Sequence, residues 1–248
     1  MDKLEHELWI VQAANALLQP LIGRPVPDYL VMCGLIVLFV TALGVILRSR
    51  LSVEHPGKLQ VLLEDGVSAL RRLLQSFVGD KADRYVGIVG TLGLFILIGN
   101  YMGLVPGLMS PTTNINVTLG CALTTWVFYH LQGVREQGLW AYLKHFAAPP
   151  GAPLFIAPIV LPIEIISHLS RVLSLSLRLF GNIFGEDLVI LILFSIVPLI
   201  VPLPMMFLAL VTGGLQAFIF VMLSTIYLSG AVAAEHDHGP RGALAHAH

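Results

Sequence analysis

From Tyr85 to Val134 the chain runs for 50 residues without one Asp, Glu, Lys or Arg. A soluble surface cannot be built from such a stretch, because soluble domains carry about 25% charged residues. Here the charged fraction is 12% and the hydrophobic fraction 56%. A bilayer core about 30 Å thick is crossed by about 20 apolar residues in helix. The gap is therefore too long for one helix. It is interrupted by Pro106-Gly107 and by Ser110-Pro111-Thr112-Thr113-Asn114, and it reads as a helical hairpin over 85–132. A formal net charge of −1, from 14 basic and 15 acidic residues, excludes a nucleic-acid binder.

Two other uncharged gaps extend the pattern. Tyr29 to Leu47, bounded by Asp28 and Arg48, is a first span over 29–47. Leu188 to Ala234 breaks at Pro198, Pro202 and Pro204, and supplies the end of one helix and a last helix over 203–230. Residues 56–78 differ in kind. Leu59, Leu62, Leu63, Leu70, Leu73, Leu74 and Phe77 recur at helical spacing, while Lys58, Glu64, Asp65, Arg71 and Arg72 take the other faces. That is a helix lying on the membrane surface or against a partner. The expected architecture is an all-α integral membrane protein: one membrane domain over 1–248, with five transmembrane spans and one amphipathic helix.

Basic residues set the orientation. Segment 48–84 holds seven Lys or Arg, 132–158 two and the C-terminal tail one. The opposite side has two, both in the N-terminal segment 1–28. The N-terminus is thus expected outside, with the amphipathic helix and the C-terminus on the cytoplasmic side. No cleavable signal peptide is visible in the first 28 residues. Cys33 and Cys121 lie in apolar stretches and read as small packed residues. Glu5-His6-Glu7 lacks the second histidine of a zinc motif. The histidines at 236, 238, 246 and 248 sit among glycine and proline in a tail, 231–248, that reads as disordered. No metal site, cofactor site or phosphate loop is expected.

The segment 158–197 carries the polar chemistry. Pro162 suits a first helical turn. A helix from there to Val197 would extend about 54 Å at about 1.5 Å per residue, so it must tilt, kink or leave the membrane. With residues spaced about 100° apart, Glu164, Arg171, Arg178 and Asn182 fall within about 40° of one line. Ser167, His168, Ser174, Gly185 and Glu186 widen the stripe, and Asp187 points nearly opposite. Arginine at mid-bilayer costs about 2.5–3.5 kcal/mol even on a lenient scale. Arg178 and Glu186 are separated by about 12 Å along the axis, so pairing within the helix is awkward. An intramembrane charge of this kind is a functional candidate by default.

Ser174-Leu-Ser-Leu-Arg178-Leu-Phe-Gly-Asn182-Ile resembles the signature of subunit a of the F-type ATP synthase. Glu5-His-Glu-Leu-Trp-Ile, Asn114-Ile-Asn-Val-Thr118, Glu164-Ile-Ile-Ser167 and Gln216-Ala-Phe-Ile-Phe220 resemble further segments of that family, in the same order. The resemblance implies a membrane stator with two offset aqueous half-channels. An ion crosses only by riding on a carboxylate of the rotating c-ring, and Arg178 is the essential charge facing it. A guanidinium does not deprotonate at working pH, so Arg178 would favour the ionised carboxylate and block a leak without relaying protons. By the same resemblance Asp187 belongs to the outer half-channel and Gln216 faces the arginine. Asn182 and Ser174 share the signature, while Glu164 and Ser167 lie near the cytoplasmic half-channel. Asn114 and Asn116 are candidates for the outer entrance.

Two positions depart from the family pattern. Ala209 stands where some members carry histidine on the last helix. Glu186 precedes Asp187, where others have glycine, histidine or aspartate, and is a candidate for the proton-handling role that histidine fills elsewhere. The implied partners are the c-ring, the b subunits of the peripheral stalk and the lipid bilayer, in a bacterial plasma (inner) membrane. The implied chain is an ion-translocating subunit with the two last helices tilted against the ring, and it holds no nucleotide site. Among rival readings, an independent secondary ion transporter suits a mid-membrane arginine but usually shows an internal repeat, which is missing here. An intramembrane hydrolase would need a catalytic pair across spans. Ser167 and His168 are adjacent and cannot face each other.

Overall fold

A computed structural model describes residues 9–50, 57–105, 108–142, 157–196 and 201–232. All regular structure among them is helical: α1 (Trp9–Ile22), α2 (Asp28–Arg50), α3 (Lys58–Val78), α4 (Asp83–Met102), α5 (Ile115–Gln137), α6 (Ala157–Ile196) and α7 (Pro202–Val232). Four stretches are long and apolar enough to cross a membrane: Asp28–Arg48, Lys58–Met102, Pro158–Ile196 and Pro202–Val232. The chain is a multi-pass membrane protein. Glu5-His6-Glu7-Leu8, Pro106-Gly107 and the histidines at 236, 238, 246 and 248 lie outside the described residues.

The helix ends follow local chemistry. Asn114 caps α5, its side chain accepting a hydrogen bond from the Asn116 N–H at 3.0 Å. At the other end Gly138, at φ +82° and ψ 150°, closes the helix in a positive-φ conformation that is open to glycine because it has no Cβ. Pro202 and Pro204 occupy the first turn of α7, where a missing N–H costs nothing. Pro162 departs from expectation, because α6 begins at Ala157 and the proline lies inside it. The loss is one backbone bond, to the carbonyl of Pro158 in the opening turn, so the helix continues through it.

α4, α5, α6 and α7 form the bundle. Their shared core holds Ile96, Cys121, Ala122, Leu175, Leu179, Ile183, Ala217 and Phe220. Toward the α3 end, Leu74, Ala82, Tyr85, Val89, Tyr129, Leu228 and Val232 make a second cluster. Val11 of α1 packs with Met32, Ile36 and Met102 in a third. The amphipathic α3 joins α4 through a 3-10 turn at Gly79–Ala82. Ion pairs surround that corner: Arg71 with Asp83 at 2.6 Å, and Lys81 and Arg84 with Glu136 of α5 at 2.5 and 3.3 Å. α4 and α7 approach closely at glycines. A Cβ on Gly213 would stand 3.3 Å from the Asn100 Cβ, and one on Gly93 only 2.5 Å from the Val221 Cγ2.

Candidate functional site

α6 shows two faces. Val172, Leu175, Ser176, Leu179 and Ile183 are buried at spacings of three and four residues. Thr118 of α5 hydrogen-bonds Ser176 across that interface at 3.1 Å. The opposite face leaves Leu173, Leu177 and Phe184 exposed, with Ser174, Arg178, Gly181, Asn182 and Gly185 among them. Arg178 therefore stands on an apolar outer surface. Among the described residues no carboxylate lies within ion-pair distance of it.

The polar seam between α6 and α7 has a regular register. Arg171 lies over the Tyr227 ring at 5.3 Å, and Asn182 Nδ2 donates to Gln216 Oε1 at 2.8 Å. Glu186 lies beside Thr212, whose hydroxyl donates to the Leu208 carbonyl at 3.0 Å. Arg171 to Asn182 is 11 residues forward and Tyr227 to Gln216 is 11 back. The step to Glu186 and Thr212 also matches, four residues on each helix. The two helices thus run antiparallel in one unbroken register. Following it, the position on α7 opposite Arg178 is Phe220, which is 1% exposed and offers no polar group. Gln216 is 2% exposed, and beyond the Asn182 bond its Nε2 has no partner. A buried unmatched donor costs about 1–3 kcal/mol.

Asp187 turns away from the seam. A Cβ on Gly103 would lie 3.6 Å from its Oδ1, so the carboxylate sits against the α4 end of the hairpin. It lines a cavity of about 180 Å³ with Gly103, Leu104, Ile190, Leu191, Phe194 and Met206. Beside that cavity is a buried network which the sequence did not single out. Asn100 donates to the Gly213 carbonyl at 3.0 Å and accepts from Thr112 at 2.8 Å, while Ser110 donates to the Gly99 carbonyl at 2.9 Å. It fixes the loop between α4 and α5 to the middle of α7.

Asn114 and Asn116 are not joined to Asp187. The Asn114 oxygen is taken up in capping α5, and Asn116 borders a mostly apolar cavity with Tyr29, Cys33, Thr91, Phe95 and Cys121. At the other end of α6, Glu164 and Ser167 are half-buried. Glu164 Oε1 stands 3.5 Å from His168 Nε2. Glu164 and Asp187 are separated by about 35 Å along the axis, with Arg178 between them.

The profile of the ATP synthase A chain family matches residues 29–229. An ATP synthase subunit a 1 of Syntrophotalea carbinolica is 45% identical over 236 residues, covering 95% of this chain and 92% of that protein. An ATP synthase subunit a of Citrifermentans bemidjiense is 42% identical over 210 residues, covering 85% of this chain and 86% of that protein. One from Koribacter versatilis is 36% identical and is matched over its full length, across 94% of this chain.

Proposed function

This chain belongs to the ATP synthase A chain family, and from that premise we propose that it is the static membrane subunit a, passing protons to and from a carboxylate on a rotating c-ring. The observation that carries the reading is Arg178: a permanent cation on an exposed apolar helix face, with no carboxylate among the described residues within ion-pair distance. An arginine so placed in hydrocarbon costs about 2.5–3.5 kcal/mol unless an anion is brought to it. A carboxylate arriving on a second protein supplies that anion. Because each ring site must pass, the pairing has to form and break, and a fixed internal partner would prevent this.

The positions of the other acids support two half-channels. Asp187, in its cavity beside Gly103, serves the outer side, with Glu186 next to it. Glu164 and Ser167 serve the cytoplasmic side. Arg178 lies between, about 21 Å from Glu164 and about 13 Å from Asp187 along α6. Asp187 also projects from a different side of the helix than Glu164 does. A proton entering at one acid reaches the other only by travelling on the ring, because the guanidinium cannot hand it on. The driving force is about 2.3 kcal/mol per charge for each 100 mV. Asn182 and Gln216 hold the α6–α7 seam one turn from the arginine, and Ser174 lies one turn on its other side. In this reading Asn114 and Asn116 belong to the outer entrance. The chain is assigned to a bacterial plasma membrane, with the c-ring and peripheral-stalk b subunits as partners.

The test is ATP-driven acidification of inverted membrane vesicles at matched subunit levels. Arg178→Ala should abolish pumping while the complex still assembles. Arg171→Ala, whose cation rests on Tyr227 rather than on the exposed face, should retain substantial pumping. Wild-type pumping by the Arg178 variant would overturn the mechanism and bring the independent transporter forward.

A further inference from the structure

The two histidines among the described residues meet in one place, with ring centroids 4.8 Å apart. His168 Nδ1 lies 2.8 Å from the Tyr129 hydroxyl, and His130 Nδ1 lies 2.6 Å from the Tyr142 hydroxyl. The other nitrogen of His168, Nε2, faces Glu164 at 3.5 Å. Groups from every neighbouring element gather here: Glu164 and Arg171 from α6 and Tyr129 and His130 from α5, with Tyr142 of the helical turn at 139–142 behind His130 and Tyr227 of α7 behind Tyr129. Arg171 is kept over the Tyr227 ring, and that ring stands 6.2 Å from Tyr129. Tyr129 is buried, and exposure rises from 12% at the His168 side chain to 38% at Glu164.

Packing alone does not call for this arrangement. Each polar group placed among membrane helices must be matched or it costs free energy, and Leu or Met would fill the space without that demand. Here one imidazole is held at one nitrogen and directed at an acid by the other. Histidine is the side chain whose ordinary titration falls near neutral pH.

We infer that His168 is a further proton-handling residue of the cytoplasmic half-channel, exchanging a proton with Glu164, with Tyr129 and His130 as positioning residues. This rests on the half-channel reading given above. When the imidazolium gives its Nε2 proton to the Glu164 carboxylate, the products are a carboxylic acid and a neutral imidazole. The remaining proton stays at Nδ1, donated to the Tyr129 oxygen. The reverse step returns the proton to Nε2. At 3.5 Å the two atoms are just beyond direct hydrogen-bond distance, and a small carboxyl rotation or one bridging water completes the path. His130, inclined at 47° against His168 and tied to Tyr142, holds the ring in place.

The experiment uses the whole complex in inverted vesicles, where the bath faces the cytoplasmic side and its pH is varied at fixed lumen pH. His168→Asn keeps a polar atom near Nδ1 for Tyr129 but cannot titrate. It should assemble, and its pumping should fall several-fold as the bath is made alkaline, where protons are scarce. Its response to lumen pH should stay that of wild type. Tyr129→Phe should move the bath profile in the same direction by less. A His168→Asn bath profile that superimposes on wild type at matched complex content overturns the inference, whatever Glu164→Gln does. A changed His168→Asn profile beside an unchanged Glu164→Gln profile overturns the placement of Glu164 in the half-channel, and the exchange as written falls with it.

Discussion

At the scale of single residues, what separates the acids of this chain is what each one touches. Asp187 faces a cavity at the hairpin end of α4, while Glu186 lies beside Thr212 across the α6–α7 seam. Asp187→Asn removes the titratable group but keeps its shape, and leaves Glu186 one residue away. Pumping should slow several-fold and not vanish. Unchanged rates or complete loss would each count against the assigned role. Glu136 is an acid of another kind, outside the membrane. The Lys81 ammonium hydrogen-bonds it and holds its carboxyl below the usual carboxylate range. Its folded value lies below its unfolded one. The stabilisation is therefore complete above the ordinary glutamate value of about 4.3 and is lost as pH falls through the folded value. Glu136→Gln should lower the thermal midpoint of the purified complex slightly at neutral pH, and the gap from wild type should close in acid. The cost of a mid-membrane arginine made Arg178 conspicuous in the sequence. The Asn100–Thr112–Ser110 network was not, because ordinary polar residues near a turn have no periodicity to betray that they link up and reach the Gly213 carbonyl through Asn100.

Whole elements were legible wherever charge or periodicity marked them. Uncharged stretches and prolines outline α2 and α7, and the alternation of leucines with charges outlines α3. The start of α6 was harder to read. Pro162 looks like a first-turn residue, yet the helix opens five residues earlier, since a proline one turn in sacrifices only one carbonyl. Spacing within α6 gives its stripe but cannot give the register against α7. That register needs the pairs Arg171–Tyr227, Asn182–Gln216 and Glu186–Thr212. It also rests on the close approach of α4 to α7. A Cβ at Gly93 would come within 2.5 Å of Val221 Cγ2, which forces one helix to move. Overpacking of this sort costs about 1–3 kcal/mol. Gly93→Ala should reduce the level of the subunit in membranes, and any surviving complex should pump poorly because the seam has shifted. Gly120→Ala is the control, with nothing within 4 Å of its Cβ position, and should behave as wild type. Equal levels for the two variants would mean that the α4–α7 contact does not govern assembly.

For the molecule as a whole, the proposed function makes orientation decide which acid serves which side, and that orientation rests on α5 as much as on the basic residues. Ten Lys and Arg fall on one side and two on the other when α5 is counted as a span. Four other stretches meet the length and composition of a span without it. The ends of α5 carry different company. Near Gln137 are Lys81, Arg84, Glu136 and the histidine–tyrosine cluster, whereas near Ile115 are the Asn114 cap and the buried Ser110–Thr112 pair. Met109, 42% exposed, precedes the helix, and Leu139, 57% exposed, follows it. Single cysteines at these two positions, with Cys33 and Cys121 replaced by serine, can be probed with a membrane-impermeant maleimide. Met109→Cys should label in intact cells and Leu139→Cys only in inverted vesicles. The opposite pattern would exchange the sides assigned to Asp187 and Glu164 while leaving Arg178 between them. Labelling of both from one side would mean that α5 does not cross. The two half-channel acids would then have to be served from a single face, and a stator that passes protons between two compartments could not be built this way.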